Sequence, residues 1–345
     1  MNTISVVVPC YNEQEVLPLL YAELDRVAAR MAPVRLEFLF VNDGSRDGTL
    51  DVLRRLARSD GRVHYLDLSR NFGKEAAMLA GLEHATGDYV AVMDADLQDP
   101  PDMLEKMYRI LSQDDSCDCV AAHRTNREGE PRVRSFFARR FYRLMNHLSK
   151  TEIVDGARDY RLMTRQMTDA VLQVRETNRF TKGIFSWVGF HTRWLPYPNT
   201  PRAAGKTKWS FSQLLLYSLD GIMSFSVKPL SLVAVLGLLS CVLSVAGIIF
   251  VVVRQLLFGN SAFGWPSMVC ILLFVSGVQL LCIGMLGQYL AKTYMETKRR
   301  PPYLIRETEK GRPLPRADAH EADAGEPSDV SMTTTAPQDA KPSSD

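Results

Sequence analysis

Over the first 125 residues, short β-branched runs alternate with stretches whose apolar residues recur at three- and four-residue steps. Ile4–Pro9 (ISVVVP), Leu36–Val41 (LEFLFV), His64–Leu68 and Tyr89–Met93 (YVAVM) read as strands, with a weaker fifth at Cys119–Ala122. Between them Val16–Met31, Thr49–Ser59, Lys74–Ala85 and Pro101–Gln113 carry helical spacing. This alternation predicts an α/β fold with a largely parallel sheet and helices on both faces. Ligands in such sheets sit outside the carboxyl ends of the strands. The polar residues that follow each strand are therefore the first candidates for chemistry.

The pattern changes after residue 130. In Pro131–Leu148 (PRVRSFFARRFYRLMNHL), Val133, Phe136, Phe137, Phe141, Leu144, Met145 and Leu148 recur at three- and four-residue steps, while Arg132, Arg139, Arg140 and Arg143 fill much of the rest. An aromatic face beside an arginine face predicts a helix lying on an anionic lipid surface; an ordinary surface helix is the plainer alternative. Trp209–Phe225 is a second such stretch. Then come 25 residues without a charged side chain, Pro229–Val253, and 37 more between Arg254 and Lys292. Runs of this length predict two membrane spans, near Leu230–Val253 and Ser267–Leu290, and argue against a wholly soluble protein. Lys206, Lys208 and Lys228 precede the first, and Lys292, Lys298, Arg299 and Arg300 follow the second, whereas the connection holds only Arg254. The positive-inside rule then puts both outer ends in the cytoplasm, as for a multi-pass protein of the inner membrane. The expected division is 1–130 for the α/β region, 131–228 for a segment with interfacial helices, 229–298 for two spans, and 299–345 for a cytoplasmic tail.

From Arg306 onward the chain is rich in Asp, Glu, Ala, Pro, Ser and Thr. Such a composition buries too little to offset ordering entropy, so disorder is expected from about residue 306, and removing that tail is expected to cost nothing. Over the whole chain 41 Lys and Arg oppose 39 Asp and Glu, for a formal charge of +2. That balance gives no case for nucleic acid as a partner. The tail holds 5 basic and 9 acidic residues, which leaves 36 and 30, or +6, on the body. A mildly basic body suits phosphate ligands or an anionic membrane face. The six cysteines show no zinc spacing, and no secretory signal precedes Ile4, so a reducing cytoplasm is expected for the N-terminal region.

No G-x-G-x-x-G follows the first strand, which argues against a dinucleotide fold. Instead the strands end in Pro9-Cys10-Tyr11-Asn12-Glu13, in Asn42-Asp43-Gly44-Ser45, and in Asp94-Ala95-Asp96-Leu97-Gln98-Asp99-Pro100-Pro101. Asp43 is placed to accept from a nucleoside, although NDGS is also a good turn. Asp94 and Asp96, two residues apart at the end of an apolar strand, repel unless a cation holds them. Hard carboxylate oxygens with substrate phosphates suit Mg²⁺ or Mn²⁺. The plain alternative is a solvated acidic turn capping the next helix.

These motifs, with Arg70–Met78 (RNFGKEAAM) and His84–Tyr89 (HATGDY), resemble family-2 inverting glycosyltransferases of the GT-A nucleotide-sugar fold. Through Gly156–Met163 (GARDYRLM), KGIFSWVGF, GKTKWSF and both apolar runs, the resemblance extends to polyprenyl-phosphate glycosyltransferases of the bactoprenol glucosyltransferase and dolichol-phosphate mannose synthase type. It covers all but the tail, and it is specific for the class but not for the sugar. The resemblance implies a GT-A domain with a mixed, largely parallel sheet, then interfacial helices and two transmembrane helices. It implies a nucleoside pocket lined by Pro9, Tyr11, Glu13 and Asp43, with Arg70 and Lys74 nearby. Asp94 and Asp96 would hold Mg²⁺ or Mn²⁺, Gln98 would be a further ligand, and Ala95 would pack against the nucleotide. Arg124 and Arg134 match positions that hold the donor diphosphate or the lipid phosphate, with Ser135 beside them. Arg202, Lys206 and Lys208 match a segment that closes over the site. Asp159 matches a catalytic carboxylate, as base or as orienting group.

The implied partners are a UDP-sugar, polyprenyl (undecaprenyl) phosphate and the membrane, and a second copy of the chain stays open as a partner. Metal and arginines would stabilise charge gathering on the leaving diphosphate. The lipid phosphate is already an anion and needs placing more than deprotonating. Glucose is the favoured sugar, ahead of N-acetylglucosamine, 4-amino-4-deoxy-arabinose and mannose. Two other readings compete. A processive polysaccharide synthase would show Q-x-x-R-W, but Phe190 stands where Gln belongs before Arg193-Trp194, and two spans form no channel. A non-catalytic membrane scaffold would have no need of the strand-end carboxylates.

Overall fold

The structure, a computed structural model, describes residues 1–124, 157–177, 179–198, 228–258 and 264–311. In chain order the elements are β1 (Thr3–Cys10), α1 (Leu17–Arg30), β2 (Arg35–Asn42), α2 (Thr49–Ser59), β3 (Val63–Leu68), α3 (Lys74–His84), β4 (Tyr89–Val92), α4 (Met103–Gln113) and β5 (Cys119–Arg124). These are the strands and helices that the periodicity predicts, with ends moved by at most two residues. There follow β6 (Ala157–Thr164), α5 (Arg165–Gln173), α6 (Thr181–Trp187), β7 (Thr192–Tyr197), α7 (Lys228–Phe258), α8 (Trp265–Thr297) and β8 (Ile305–Thr308).

All eight strands form one sheet, in the order β7-β5-β6-β4-β1-β2-β3-β8. β6 runs antiparallel to both β4 and β5, and β8 antiparallel to β3, while the other pairings are parallel. The sheet is therefore mixed and largely parallel. Because β6 lies between β4 and β5, and β7 and β8 join the same sheet, a boundary at residue 130 would cut through one sheet.

The strands alternate strictly between two cores. Val6, Val8, Phe38 and Phe40 face α1, α2 and α4, where Leu20, Leu24, Leu53 and Met107 cover them. Val7, Leu39 and Val41 face α3, α5 and α6, against Ala77, Met78, Val171 and Phe185. A strand buried on both faces reads as a continuous apolar run, which is why β1 and β2 were legible.

α7 and α8 are each long and apolar enough to cross a membrane, and the apolar window of neither is buried in protein. Leu243, Phe250, Leu256, Phe274 and Leu280 are all more than half exposed. Both helices outrun the spans expected from charge alone. At the far end of α8, Glu296 accepts from the Thr177 N–H (2.8 Å) and hydroxyl (3.0 Å), which ties that helix end to the catalytic domain.

Disorder does not begin at residue 306, because β8 pairs with β3 as Asp67↔Glu307 and Leu68↔Ile305, and Thr308 bridges Gly311. Three partners that composition cannot reveal order it. The Arg306 guanidinium meets fully buried Asp67 at 2.7 Å, and Arg54 grips Glu307 with two bonds of 2.9 and 2.7 Å. The Tyr65 hydroxyl donates to Glu307 at 2.7 Å. The predicted amphipathic helices at 131–148 and 209–225, and the tail from 312, lie outside the described residues.

Candidate active site

β1 has β4 on one side and β2 on the other, so the loops leaving these strands open a crevice where the strand order reverses. The first two loops are laced together. Asn12 adopts a left-handed φ of 55°. Its N–H donates to Ser45 Oγ (2.9 Å), and its side-chain oxygen accepts from the Arg46 N–H (2.8 Å). The Glu13 N–H donates to Thr49 Oγ1 at 2.9 Å. Pro9, Tyr11 and Glu13 are thereby held half-buried at the mouth of the crevice.

Asp43, 3 % exposed, accepts the N–H groups of Phe72 (2.7 Å) and Gly73 (3.0 Å), one on each oxygen. Burial pushes its carboxyl upward, against the pull of those two amides and of Arg70. In this structure Asp43 braces the third loop. Gly44 has φ +61°, and a Cβ there would stand 2.4 Å from the Arg70 carbonyl carbon, so only glycine lets the second and third loops approach this closely. Arg70 is exposed, its guanidinium 4.1 Å above the Phe72 ring.

The fourth loop carries the paired carboxylates. Asp94 Oδ1 meets Lys74 Nζ at 2.5 Å, and its Oδ2 lies 3.8 Å from the Arg158 guanidinium. Ala95 is buried in the core beneath the site. Asp96 is half-buried and accepts from the Gln98 N–H at 3.2 Å, across a turn in which Leu97 takes a φ of 56°.

Strand β6 brings two sets of charges to this point. On one face Arg158 pairs with fully buried Asp99 at 3.3 Å. Asp99 also accepts from Tyr197 OH (2.6 Å), which in turn accepts from Arg124 Nε (3.2 Å). Burial pushes the Asp99 carboxyl upward even against Arg158, and pushes the Tyr197 hydroxyl up to about 12. On the other face buried Asp159 meets Lys74 Nζ at 2.5 Å and Lys182 Nζ, from α6, at 3.9 Å. Burial alone would raise the Asp159 carboxyl, but Lys182, Lys74 and Arg161 together hold it far below the ordinary range. Burial works against the Lys74 ammonium too, yet Asp159 and Asp94 carry its proton affinity well above normal. A carboxylate held this firmly in its ionised form is a poor proton acceptor and a good anchor. Asp159 thereby anchors the Lys74 ammonium from the β6 side. Its neighbour Glu75 accepts from both the N–H and the hydroxyl of Thr181, which fixes the start of α6 and with it Lys182.

Arg158, Asp99, Tyr197, Lys182 and Glu75 were not singled out from the sequence. Alternation along GARDYRLM would have found Arg158, since Arg158 and Tyr160 face one side of β6 and Asp159 and Arg161 the other. Arg134, Ser135, Arg202, Lys206 and Lys208 lie outside the described residues. Among the described residues no three His, Cys, Asp or Glu side chains converge as metal ligands. Asp94 and Asp96 can fill part of a hard cation's shell and leave the rest to diphosphate oxygens and water, the usual arrangement for Mg²⁺. The Lys74 ammonium already lies against Asp94, so the donor set fits a cation.

The mixed, largely parallel sheet, with paired carboxylates where β4 ends, agrees with the GT-A glycosyltransferase fold. The chain belongs to glycosyl transferase family 2, whose family model matches residues 5–172. It is 40 % identical to the bactoprenol glucosyl transferase of Shigella phage SfX over 303 residues, 88 % of this chain and 98 % of that one. It is also 40 % identical to a prophage bactoprenol glucosyl transferase homolog of Escherichia coli K12, over 89 % and 99 % of the two chains. Among solved structures, mannosyl-3-phosphoglycerate synthase from Rubrobacter xylanophilus superposes with a TM-score of 0.46 at 20 % identity, covering 64 % of this chain and 71 % of that one.

Proposed function

We propose that the chain transfers a sugar, glucose first among the candidates, from a UDP-sugar to polyprenyl phosphate at the cytoplasmic face of the membrane. The observation that carries this reading is the length of the match to the phage bactoprenol glucosyl transferase. At 88 % of the chain, it leaves fewer residues unmatched than α7 and α8 contain, so the likeness reaches the apolar helices as well as the catalytic domain. Two bare apolar helices beside a soluble domain suit an acceptor whose hydrocarbon stays in the bilayer. The Thr177–Glu296 contact would hold the crevice near the membrane surface, where only the acceptor's phosphate has to rise to meet it.

In this reading Asp94 and Asp96, with Gln98 beside them, hold Mg²⁺ or Mn²⁺. The ion supplies positive charge to the leaving diphosphate. The protein's own residues do the rest. Asp43 fixes the loop that carries Arg70, and Asp159 with Lys182 aims Lys74 into the crevice. Arg158 holds Asp94 from behind. The acceptor phosphate attacks as an anion, so no side chain has to remove its proton. Arg134 and Ser135 are proposed for that phosphate, and Arg202, Lys206 and Lys208 for the closing segment.

Purified protein in mixed micelles with undecaprenyl phosphate, offered a panel of radiolabelled UDP- and GDP-sugars, should make a labelled lipid from UDP-glucose. UDP-N-acetylglucosamine, UDP-4-amino-4-deoxy-arabinose and GDP-mannose are the competitors. Absence of a lipid product from every donor would defeat the acceptor assignment. For topology, a reporter after Lys298 should read cytoplasmic and a tag near Asn260 extracytoplasmic. Both on one side would rule out the hairpin.

A further inference from the structure

Lys74 is the first residue of α3, directly after Gly73. A cation there opposes the positive end of the helix dipole, where acidic residues are preferred. Its position makes sense through its partners. The ammonium touches Asp94 Oδ1 and Asp159 Oδ2, each at 2.5 Å, and so bridges a carboxylate of the paired set to one on β6. The contact with Asp94 falls on an oxygen that a divalent ion would need. Yet the side chain as a whole is still 42 % exposed, so it is not sealed into the core although its ammonium is enclosed by the two carboxylates.

We infer that Lys74 is an internal counter-ion, which fills the divalent cation's place at Asp94 and gives it up when a nucleoside diphosphate offers the ammonium a new anionic partner. The inference rests on the proposed function, since it needs a metal-assisted nucleotide donor. The argument is one of competing charges. Without Lys74, Asp94 and Asp159 would face each other as a repelling pair at the back of the crevice. With it, the empty site is neutralised, and a metal arriving alone has to break a charge-assisted hydrogen bond before it gains Asp94. It would gain little in return, because no third acidic ligand converges there among the described residues. A diphosphate changes both terms. It brings anionic oxygens to complete the metal's shell, and it takes over the ammonium that Asp94 releases. Metal and nucleotide are then bound together and poorly apart. Asp159, which keeps Lys182 as well as Lys74, holds the amine within reach of the crevice throughout.

The test is Mn²⁺ binding to the full-length protein in detergent, followed by electron paramagnetic resonance of the free ion, with and without UDP. Wild type should bind Mn²⁺ weakly alone and much more tightly with UDP. Lys74→Gln should tighten binding of Mn²⁺ alone by about tenfold, the worth of one released charge-assisted contact, and should shrink the enhancement by UDP. Lys74→Arg keeps the charge and should stay within about threefold of wild type. Unchanged or weaker binding of Mn²⁺ alone in Lys74→Gln, with UDP-dependent binding intact in wild type, overturns the inference and leaves the proposed function standing. No Mn²⁺ binding by wild type even with UDP overturns both. Should Lys74→Gln not fold, the wild type decides through its ¹⁵N-labelled lysine side chains. The ammonium resonance of Lys74, identified by its loss in Lys74→Arg, should shift when Mg²⁺ and UDP bind together. A resonance that stays put under saturating Mg²⁺ and UDP overturns the inference.

Discussion

Asp96→Asn should abolish sugar transfer while leaving the fold intact. The amide keeps the shape of the carboxylate, and its remaining oxygen can still accept from the Gln98 N–H at 3.2 Å, so the turn through Leu97 survives. What is lost is the negative charge that would hold the divalent ion against the leaving diphosphate. Removing one element of such preorganised charge stabilisation typically costs about a hundredfold or more in turnover. Asp94→Asn should be as inactive but is the less clean test. Its carboxylate also faces Lys74 and Arg158, and neutralising it leaves Arg158 beside Asp99 alone. Turnover of UDP-glucose with undecaprenyl phosphate, read beside the melting temperature of each variant, separates lost chemistry from lost structure. Chelation by EDTA should inhibit the wild type, and Mn²⁺ or Mg²⁺ should restore it. Full activity in chelator, or an active Asp96→Asn, would remove the metal from the mechanism.

The parts of the fold that were legible are those whose side chains serve only packing. β1 and β2 are apolar on both faces because both are buried, and α1, α2 and α4 show one covered stripe each. β6, the GARDYRLM motif, carries no strand signal in its apolar periodicity. Arg158, Asp159 and Arg161 break its apolar run, and each is tolerable there only because a partner from another element meets it: Asp99, Lys74 and the Phe185 ring 3.6 Å from the Arg161 guanidinium. Tertiary partners overrode strand propensity, as they commonly do. The site divides in the same way. Asp94, Asp96 and Asp43 stand where a strand ends, so strand-ending logic finds them. Lys182 meets Asp159 from α6 and buried Tyr197 meets Asp99 from β7, 98 residues further along the chain, so their roles appear only once β6 is seen between β4 and β5.

β8 extends that argument to the C-terminal end of the described chain and carries the second large prediction. Arg306→Ala should destabilise the catalytic domain by about 2 kcal/mol, since it leaves the buried Asp67 carboxylate with Asn42 as its remaining partner while Arg306 itself is half exposed. For a domain of this size that is a fall of about 5 °C in melting temperature. Ending the chain at Leu304 should cost more. It also removes the Arg54–Glu307–Tyr65 contacts and bares β3 as a sheet edge open to association. A chain ending at Gly311 keeps all of these contacts and is the reference. The pH dependence has a defined sign. Arg54 and then Tyr65 hold the Glu307 carboxyl down at about 2, below its ordinary 4.5, so its stabilising share is complete above 4.5 and fades as pH falls towards 2. The penalty for removing β8 should therefore shrink over that window. Activity should fall with stability, because the Ser69 N–H donates to the Leu304 carbonyl at 2.8 Å and the loop that starts there carries Arg70 and ends at Lys74. Melting curves of the three chains across pH, with transfer assayed in parallel, test each step. If Arg306→Ala melts with the wild type, the buried charge of Asp67 does not depend on β8, and the strand is an ornament on the sheet's edge.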